Sequence, residues 1–239
     1  MKRILFGLLI ALILGNYSCN KDENEDNITE NDLVSYYPLN GNANDESGND
    51  YHGVIYGASP TFNRFNNANS AFMFDGVDDY IFVEDYGNIV PIHEISVSMW
   101  LKPNDTKAQF QLMLCPDVDR FAVSAFYYHD GVNTTFWDYG WLRTGGDSPG
   151  RLYYRPEPID TLWHHYVFIS SIEQNFMKIY KDGNLINSKE YPLELQSTYE
   201  RDLKIGSGDS HSYYSGLIDE IRIYNKVLTD NEISELYFE

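Results

Sequence analysis

The chain has 239 residues, of which 43% are hydrophobic and 15% aromatic, and its formal net charge is −19. This length suits one all-β domain of about 200 residues behind an N-terminal targeting segment, and such a domain buries a core without disulfide bonds. The negative charge repels polyanions, so nucleic acid and anionic lipid surfaces are not expected partners. Neutral polymers and cations such as calcium remain as the expected partners.

The N-terminal segment has the order of an export signal. Lys2 and Arg3 precede an apolar run from Ile4 to Leu14, which is too short for a comfortable membrane span, and Cys19 follows. This order resembles a bacterial lipoprotein signal with Cys19 as the lipidated residue. Asn16 departs from the pattern, since an aliphatic residue is usual there.

A charged stretch comes after Cys19. Residues 20–27 contain no apolar side chain, so they cannot bury surface and are expected to form a solvated tether. A lysine among acidic residues also resembles the signal that sends Bacteroidetes lipoproteins to the outer face of the outer membrane; a generic linker is the alternative. The predicted organisation is a signal peptide at 1–18, a lipidated cysteine and tether at 19–31, and a folded domain at 32–239.

Within the folded part, short apolar and aromatic runs alternate with turn residues, which predicts a sandwich or barrel of many strands. The candidate strands are Val34–Leu39, His52–Tyr56, Ser70–Phe74, Tyr80–Glu84, Ile95–Leu101, Phe110–Leu114, Phe121–Tyr128, Thr134–Tyr139, Arg151–Arg155, Trp163–Ser170, Phe176–Lys181, Asn184–Tyr191, Leu203–Ser207 and Gly216–Tyr224. An Asp-Gly pair, Asp182-Gly183, predicts a tight hairpin turn. Only Thr229–Leu236 is predicted to be helical, with Thr229 and Glu232 as a capping box.

Six stretches of this sequence, in order, carry a resemblance to a known family. They are LVSYYPLNGNANDESGNDYHG, NRFNNANSAFMFDGVDDYIFV, ISVSMWLKP, LWHHYVFI, MKIYKDGNLI and YYSGLIDEIRIYNKVLTDNEISELY. Together they resemble the laminin-G-like, concanavalin A-like jelly-roll domains of bacterial surface proteins. The resemblance implies a two-sheet antiparallel sandwich with one short C-terminal helix, usually without catalytic activity and often with a bound calcium ion.

The last predicted strand contains a carboxylate on its more apolar face. Alternation along 216–224 puts four residues on that face, namely Leu217, Asp219, Ile221 and Ile223. This face is expected to point into the core. Because a buried carboxylate without a partner is costly, Asp219 is expected to meet a cation or several donors.

The loop at 40–50 is dense in the oxygen ligands that calcium prefers. The resemblance places the first and last strands side by side, which brings this loop next to Asp219. It thereby implies a structural calcium ion held by Gly41, Asp45, Asn49 and Asp219. The alternatives are a turn held by side-chain to backbone hydrogen bonds and an Asp219 paired with an arginine or backbone amides.

Motifs for catalysis are absent. The sequence contains no Glu-x-Asp-x-x-Glu strand, Gly-x-Ser-x-Gly elbow, His-Glu-x-x-His helix or phosphate loop. Asp219 and Glu220 are adjacent on a strand and are expected to point to opposite faces, as are His164 and His165. We therefore expect a binding protein and no enzyme.

The segment 127–155 interleaves aromatic with planar polar residues, a combination that suits carbohydrate. Its candidate ligand contacts are Trp137, Tyr139, Trp141 and Arg143, of which the last two lie in the loop between two predicted strands. Asp138 and Arg151 are expected to pair across those strands.

The sequence therefore predicts a calcium-stabilised, lectin-like surface lipoprotein that binds an extracellular ligand, and a glycan is the predicted ligand. A module for adhesion to protein is the first alternative, and a glycoside hydrolase is the second. An aromatic groove favours the glycan, and a broad exposed apolar patch favours the protein.

Overall fold

The computed structural model describes residues 32–115, 120–129, 132–141, 149–155, 159–190, 192–195, 201–208 and 212–239. The predicted signal peptide, Cys19 and the tether lie outside these ranges. No helix within them is long and apolar enough to span a bilayer.

The described ranges form fifteen strands, one 3₁₀ helix (Tyr86–Asn88) and one α-helix, and the alternating pattern predicts such a strand-rich fold. In chain order the strands are β1 (Leu33–Tyr37), β2 (Val54–Tyr56), β3 (Ser59–Thr61), β4 (Ala71–Asp75), β5 (Tyr80–Val83), β6 (Glu94–Pro103), β7 (Phe110–Cys115), β8 (Arg120–His129), β9 (Val132–Trp141), β10 (Arg151–Tyr154), β11 (His164–Ser171), β12 (Phe176–Lys181), β13 (Asn184–Lys189), β14 (Asp202–Ile205) and β15 (Ser215–Tyr224). The helix α1 spans Asp230–Phe238. Only β3 was not predicted; it contains Pro60 and lies at a sheet edge, where proline is tolerated.

The strands form two antiparallel sheets packed face to face. One sheet has the order β13-β12-β11-β6-β15-β4-β3, and β1 pairs with the C-terminal half of β15. The other sheet has the order β10-β9-β8-β7-β14-β5-β2. One large apolar cluster fills the space between them and draws residues from both sheets. The predicted fold class, an all-β antiparallel jelly-roll sandwich with one C-terminal helix, is confirmed.

The helix α1 lies on the outer face of the eight-stranded sheet. Its side chains Ile233 and Leu236 pack with residues of β11, β12 and β15 in a second, smaller cluster. The predicted capping box is present: the Thr229 side chain accepts from the Glu232 amide, and the Glu232 carboxylate accepts from the Thr229 amide. The helix therefore covers part of a face that would otherwise be open.

A β-bulge interrupts the alternation of β15. Glu220 has a φ of +53°, and the pairing of β15 with β6 shifts between Asp219 and Arg222. Ile218 and Ile221 consequently both point into the core. Asp219 and Glu220 lie between them on the outer face, which corrects two sequence predictions: Asp219 does not point between the sheets, and the two carboxylates do not project to opposite faces.

Candidate functional site

The carboxylate of Asp45, the predicted calcium anchor in the loop 40–50, accepts hydrogen bonds from backbone amides. Its Oδ1 accepts from the amides of Tyr36 at 2.9 Å and Ser47 at 3.0 Å, and its Oδ2 accepts from the amide of Tyr51 at 3.2 Å. Asp45 is 5% exposed. It closes the loop through side-chain to backbone hydrogen bonds, which is the alternative that the sequence had left open.

The other two predicted ligands in this loop donate hydrogen bonds to backbone carbonyls. Asn49 Nδ2 donates to the carbonyl of Val34 at 2.9 Å, and the amide of Gly41 donates to the carbonyl of Leu39 at 3.0 Å. These bonds tie the loop to β1 and to itself.

Asp219 pairs with an arginine that lies far from it in the sequence. Arg64 Nη1 donates to Asp219 Oδ2 at 2.7 Å, and the Asp219 side chain is 1% exposed. The Arg64 guanidinium lies 4.7 Å from the ring centre of Trp100. Burial raises the pKa of Asp219 to about 7, and the neighbouring Arg64 offsets only part of that rise. The structure favours the alternatives to the predicted calcium set of Gly41, Asp45, Asn49 and Asp219: Asp219 pairs with Arg64, Asp45 accepts from backbone amides, and Asn49 donates to a backbone carbonyl.

A different acidic group is placed to hold a cation. Asp75, Asp78 and Asp79 in the β4–β5 turn each offer a carboxylate oxygen within 4.8 Å of the others. Asp75 and Asp78 are exposed, and Asp79 is buried. Burial raises the pKa of Asp79, although the amide of Asp75 donates to its Oδ2 at 2.8 Å. Oxygen ligands of this kind suit a hard cation.

Two of the predicted ligand contacts are core residues. Trp137 and Tyr139 are fully buried, with Trp137 Nε1 donating to the carbonyl of Ile169 at 3.1 Å and the Tyr139 hydroxyl donating to the carbonyl of Pro91. Their rings pack against Phe121 between the sheets. Both are therefore corrected from surface contacts to core residues. Alternation in β9 directs them inward, and their polar atoms are satisfied there.

The remaining predicted contacts stay predictions. Trp141 is the last residue of β9, and its side chain is not described; Arg143 lies outside the described residues. The predicted cross-strand pair is confirmed: Asp138 is directly opposite Arg151, and the guanidinium donates through two nitrogens to the Asp138 carboxylate. Asp138 is fully buried on the outer face of the seven-stranded sheet.

The opposite edge of that sheet presents an aromatic surface that the sequence analysis missed. Tyr56 on the edge strand β2 stacks on Tyr80 of β5, with ring centres 4.6 Å apart and an interplanar angle of 11°. Lys204 of the next strand, β14, places its Nζ 5.3 Å from the ring centre of Tyr80. We call Tyr56, Tyr80 and Lys204 the tyrosine stack. Tyr56 is 44% exposed and lies at the sheet edge.

The acidic turn lies directly beside the tyrosine stack. Gly57 follows Tyr56 with a φ of +76°, and a Cβ there would lie 1.8 Å from Asp79 Oδ1. Only glycine allows so close an approach of β2 to the turn. The register Tyr56↔Tyr80 creates this arrangement. Because the two strands are distant in sequence, no local pattern in the sequence could have shown it.

The fold defines the chain as a jelly-roll sandwich of the lectin type. A family model described as the concanavalin A-like lectin/glucanases superfamily matches residues 75–234. The chain belongs to this superfamily. No curated protein matches the sequence.

Solved structures with the same fold are distant in sequence. Domain 4 of AbnA, a GH43 extracellular arabinanase from Geobacillus stearothermophilus solved in complex with arabinotriose, is 22% identical with a TM-score of 0.67, over 86% of this chain and 98% of that one. The binding domain of Paraclostridial Mosquitocidal Protein 1 is 15% identical with a TM-score of 0.64, over 87% of this chain. The binding domain of botulinum neurotoxin DC, solved with rat synaptotagmin II, is 15% identical with a TM-score of 0.65. This chain spans about half of each toxin binding domain, 52% in both cases.

Proposed function

We propose that this chain is a glycan-binding module with no catalytic activity, and that a sugar ring stacks on Tyr56. The observation that carries the proposal is the tyrosine stack at the open edge of the seven-stranded sheet. Sugar rings present apolar C–H faces, which pack on an aromatic ring. Because the Tyr56 ring already stacks on Tyr80, binding loses little side-chain entropy.

The neighbouring acidic turn supports the same proposal. A sugar on Tyr56 would carry its hydroxyl rim towards the exposed carboxylates of Asp75 and Asp78, which accept hydrogen bonds. The aromatic face of Tyr56 thus complements the apolar face of the sugar ring, and the carboxylate acceptors complement its hydroxyl groups. The arabinotriose complex of the AbnA domain supports an oligosaccharide as ligand class.

Calorimetric titration with arabinotriose as the first probe, followed by an array of neutral glycans, tests the proposal. Tyr56→Ala should weaken binding of the best glycan about tenfold, since an aromatic contact contributes on the order of 1–1.5 kcal/mol. The matched control is Phe238→Ala, which removes an aromatic ring that is 79% exposed at the end of α1. Equal affinities for the two variants, or binding by neither the wild type nor any array member, would contradict the proposal. Binding to a protein receptor instead would favour the adhesion alternative.

The predicted recognition loop and the predicted metal belong to the same proposal. Trp141 and Arg143 would supply a second contact region, to be tested by Trp141→Ala in the same titration. A calcium ion would lie at the acidic turn of Asp75, Asp78 and Asp79. Calcium should then raise the melting temperature of the wild type but not of Asp78→Asn, by mass action on the folded state.

The proposed location is the outer face of the outer membrane, with anchoring through a lipid on Cys19. The support is the order of basic residues, apolar run and cysteine at the N-terminus. A labelled fatty acid should be incorporated into the wild-type chain and not into Cys19→Ala. An unlabelled wild type would exclude the lipid anchor and leave the glycan proposal standing.

A further inference from the structure

His164 lies between two carboxylates that come from separate parts of the chain. Its Nδ1 is 2.7 Å from Asp182 Oδ2, and its Nε2 is 3.0 Å from Asp160 Oδ1. Ionised carboxylate oxygens only accept hydrogen bonds, so both ring nitrogens must donate to make both contacts. Only the protonated, positively charged imidazolium has two N–H donors. The geometry therefore selects the charged form of His164.

The two carboxylates are held to different degrees. Asp182 begins the β12–β13 turn, and besides His164 it exchanges two hydrogen bonds with the His165 backbone, at 2.8 and 3.0 Å. Asp160 lies in the connection from β10 to β11, and its side chain is 52% exposed. Among the described residues, the other donor to its Oδ1 is the amide of Leu162 at 2.8 Å, within the same connection. Through His164, Asp160 is linked to Asp182 and hence to the turn.

The charged groups that face His164 are Asp160 from the connection, Asp182 from the turn and Lys181 at the end of β12. Burial lowers the pKa of His164, but the hydrogen bonds and charges of the two carboxylates outweigh burial and Lys181, and the pKa is raised above 6.5. Burial raises the pKa of Asp182 and Asp160, and the bonds from His164 and from backbone amides reverse that effect, so both are lowered. All three directions stabilise the charged bridge.

We propose that His164 is a pH-sensitive clasp: its imidazolium ties Asp160, and with it residues 160–163, to the β12–β13 turn, and loss of its proton as the pH rises releases them. A neutral imidazole keeps one N–H and directs the lone pair of its other nitrogen at a carboxylate. The neutral imidazole retains the hydrogen bond to Asp182, because that residue is held by its two hydrogen bonds with the His165 backbone, and it loses the hydrogen bond to Asp160. Ile159 stays packed against the main core, so the release is confined to the segment after it.

The direction of the pH effect follows from the raised pKa of His164. Stabilisation by the bridge is fully present below pH 6.5, the ordinary value, and is lost as pH rises through the raised value. Because the pKa values of Asp160 and Asp182 are lowered, the bridge persists on the acid side until these carboxylates are protonated, at a pH below 3.8, their ordinary pKa. The clasp is closed between these limits and opens on the alkaline side.

Two measurements on the full folded chain test the clasp. Nitrogen-15 NMR of the imidazole should show both ring nitrogens of His164 protonated at pH 6 and a titration midpoint above 6.5. Amide hydrogen exchange of residues 161–163, corrected for its intrinsic pH dependence, should accelerate on the same titration. The expected acceleration is about tenfold for each unit by which the pKa of His164 exceeds 6.5.

Two variants make the result decisive. Asp160→Asn keeps the shape of an exposed side chain but removes the acceptor charge, so it should lower the His164 midpoint and abolish the pH dependence of exchange. The control is His93→Gln, which changes a half-exposed histidine whose Nδ1 is 3.8 Å from a Glu194 oxygen, and which should change neither. A wild-type midpoint at or below 6.5, or exchange at 161–163 that has the same pH dependence in Asp160→Asn as in the wild type, would overturn the proposal.

Discussion

Substituting the buried Asp219 by asparagine should change how stability depends on pH. The carboxylate is 1% exposed on the outer face of the eight-stranded sheet, and it has one charged partner within hydrogen-bonding distance, Arg64 at 2.7 Å. Its Oδ1 is buried without a hydrogen-bond partner. Burial raises its pKa to about 7, because the Arg64 charge does not fully replace the lost hydration. Asparagine has nearly the same shape and does not titrate.

The magnitude follows from the size of the pKa rise. An acid whose pKa increases from 3.8 in the unfolded chain to about 7 in the folded one binds its proton more tightly when folded. Folding is therefore penalised as pH rises from 3.8 to 7, and the penalty is fully present above 7. At about 1.4 kcal/mol per pKa unit, the penalty amounts to about 4 kcal/mol of unfolding free energy. Asp219→Asn lacks it.

Urea denaturation of both proteins at a series of pH values between 3.5 and 8 measures this quantity. The other carboxylates titrate in both proteins, so the difference between the two unfolding free energies isolates Asp219. That difference should shift by about 4 kcal/mol in favour of Asp219→Asn from the acid to the neutral end. Glu173→Gln, which alters an exposed carboxylate, is the control. A difference that stays flat across the series would refute the argument that burial dominates over Arg64.

Two further predictions concern residues that the sequence analysis singled out in β9 and its partner strand β10. Arg151→Met should destabilise the fold by about 3–5 kcal/mol in urea denaturation, because it removes the guanidinium from the fully buried Asp138. The double variant Arg151→Met/Asp138→Leu should recover much of this loss; if it is no more stable than the single variant, the pair has no special role. Trp137→Ala should cost about 3–5 kcal/mol because it opens a cavity between the sheets. A loss below about 1 kcal/mol would show that the indole is not a core residue in solution.

Much of the fold was determined by local chemistry in the sequence. Alternation located the strands, and Asp182-Gly183 gave the hairpin, where both residues have a positive φ as a type I′ turn requires. Thr229 and Glu232 gave the helix start through a capping box, which involves only residues three apart. The pairing of Asp138 with Arg151 was also within reach, because a single connection joins their strands. Each of these features depends on neighbours along the chain.

The candidate sites depended on contacts between distant segments, and only the tertiary structure decided them. Alternation shows which residues share a face of a strand, but a β-bulge interrupts the alternation. The bulge residue Glu220 has a positive φ, and because it is not a glycine, the sequence contains no signal of the bulge. The bulge places Asp219 on the outer face of the eight-stranded sheet. There it accepts a hydrogen bond from Arg64, which is 155 positions away in the sequence. Tyr56 and Tyr80 likewise stack only because β2 and β5 pair in one register. A strand pattern specifies a period of two but not the partner strand, the register or the residue at which the period breaks, since these are fixed by the packing of the whole sandwich.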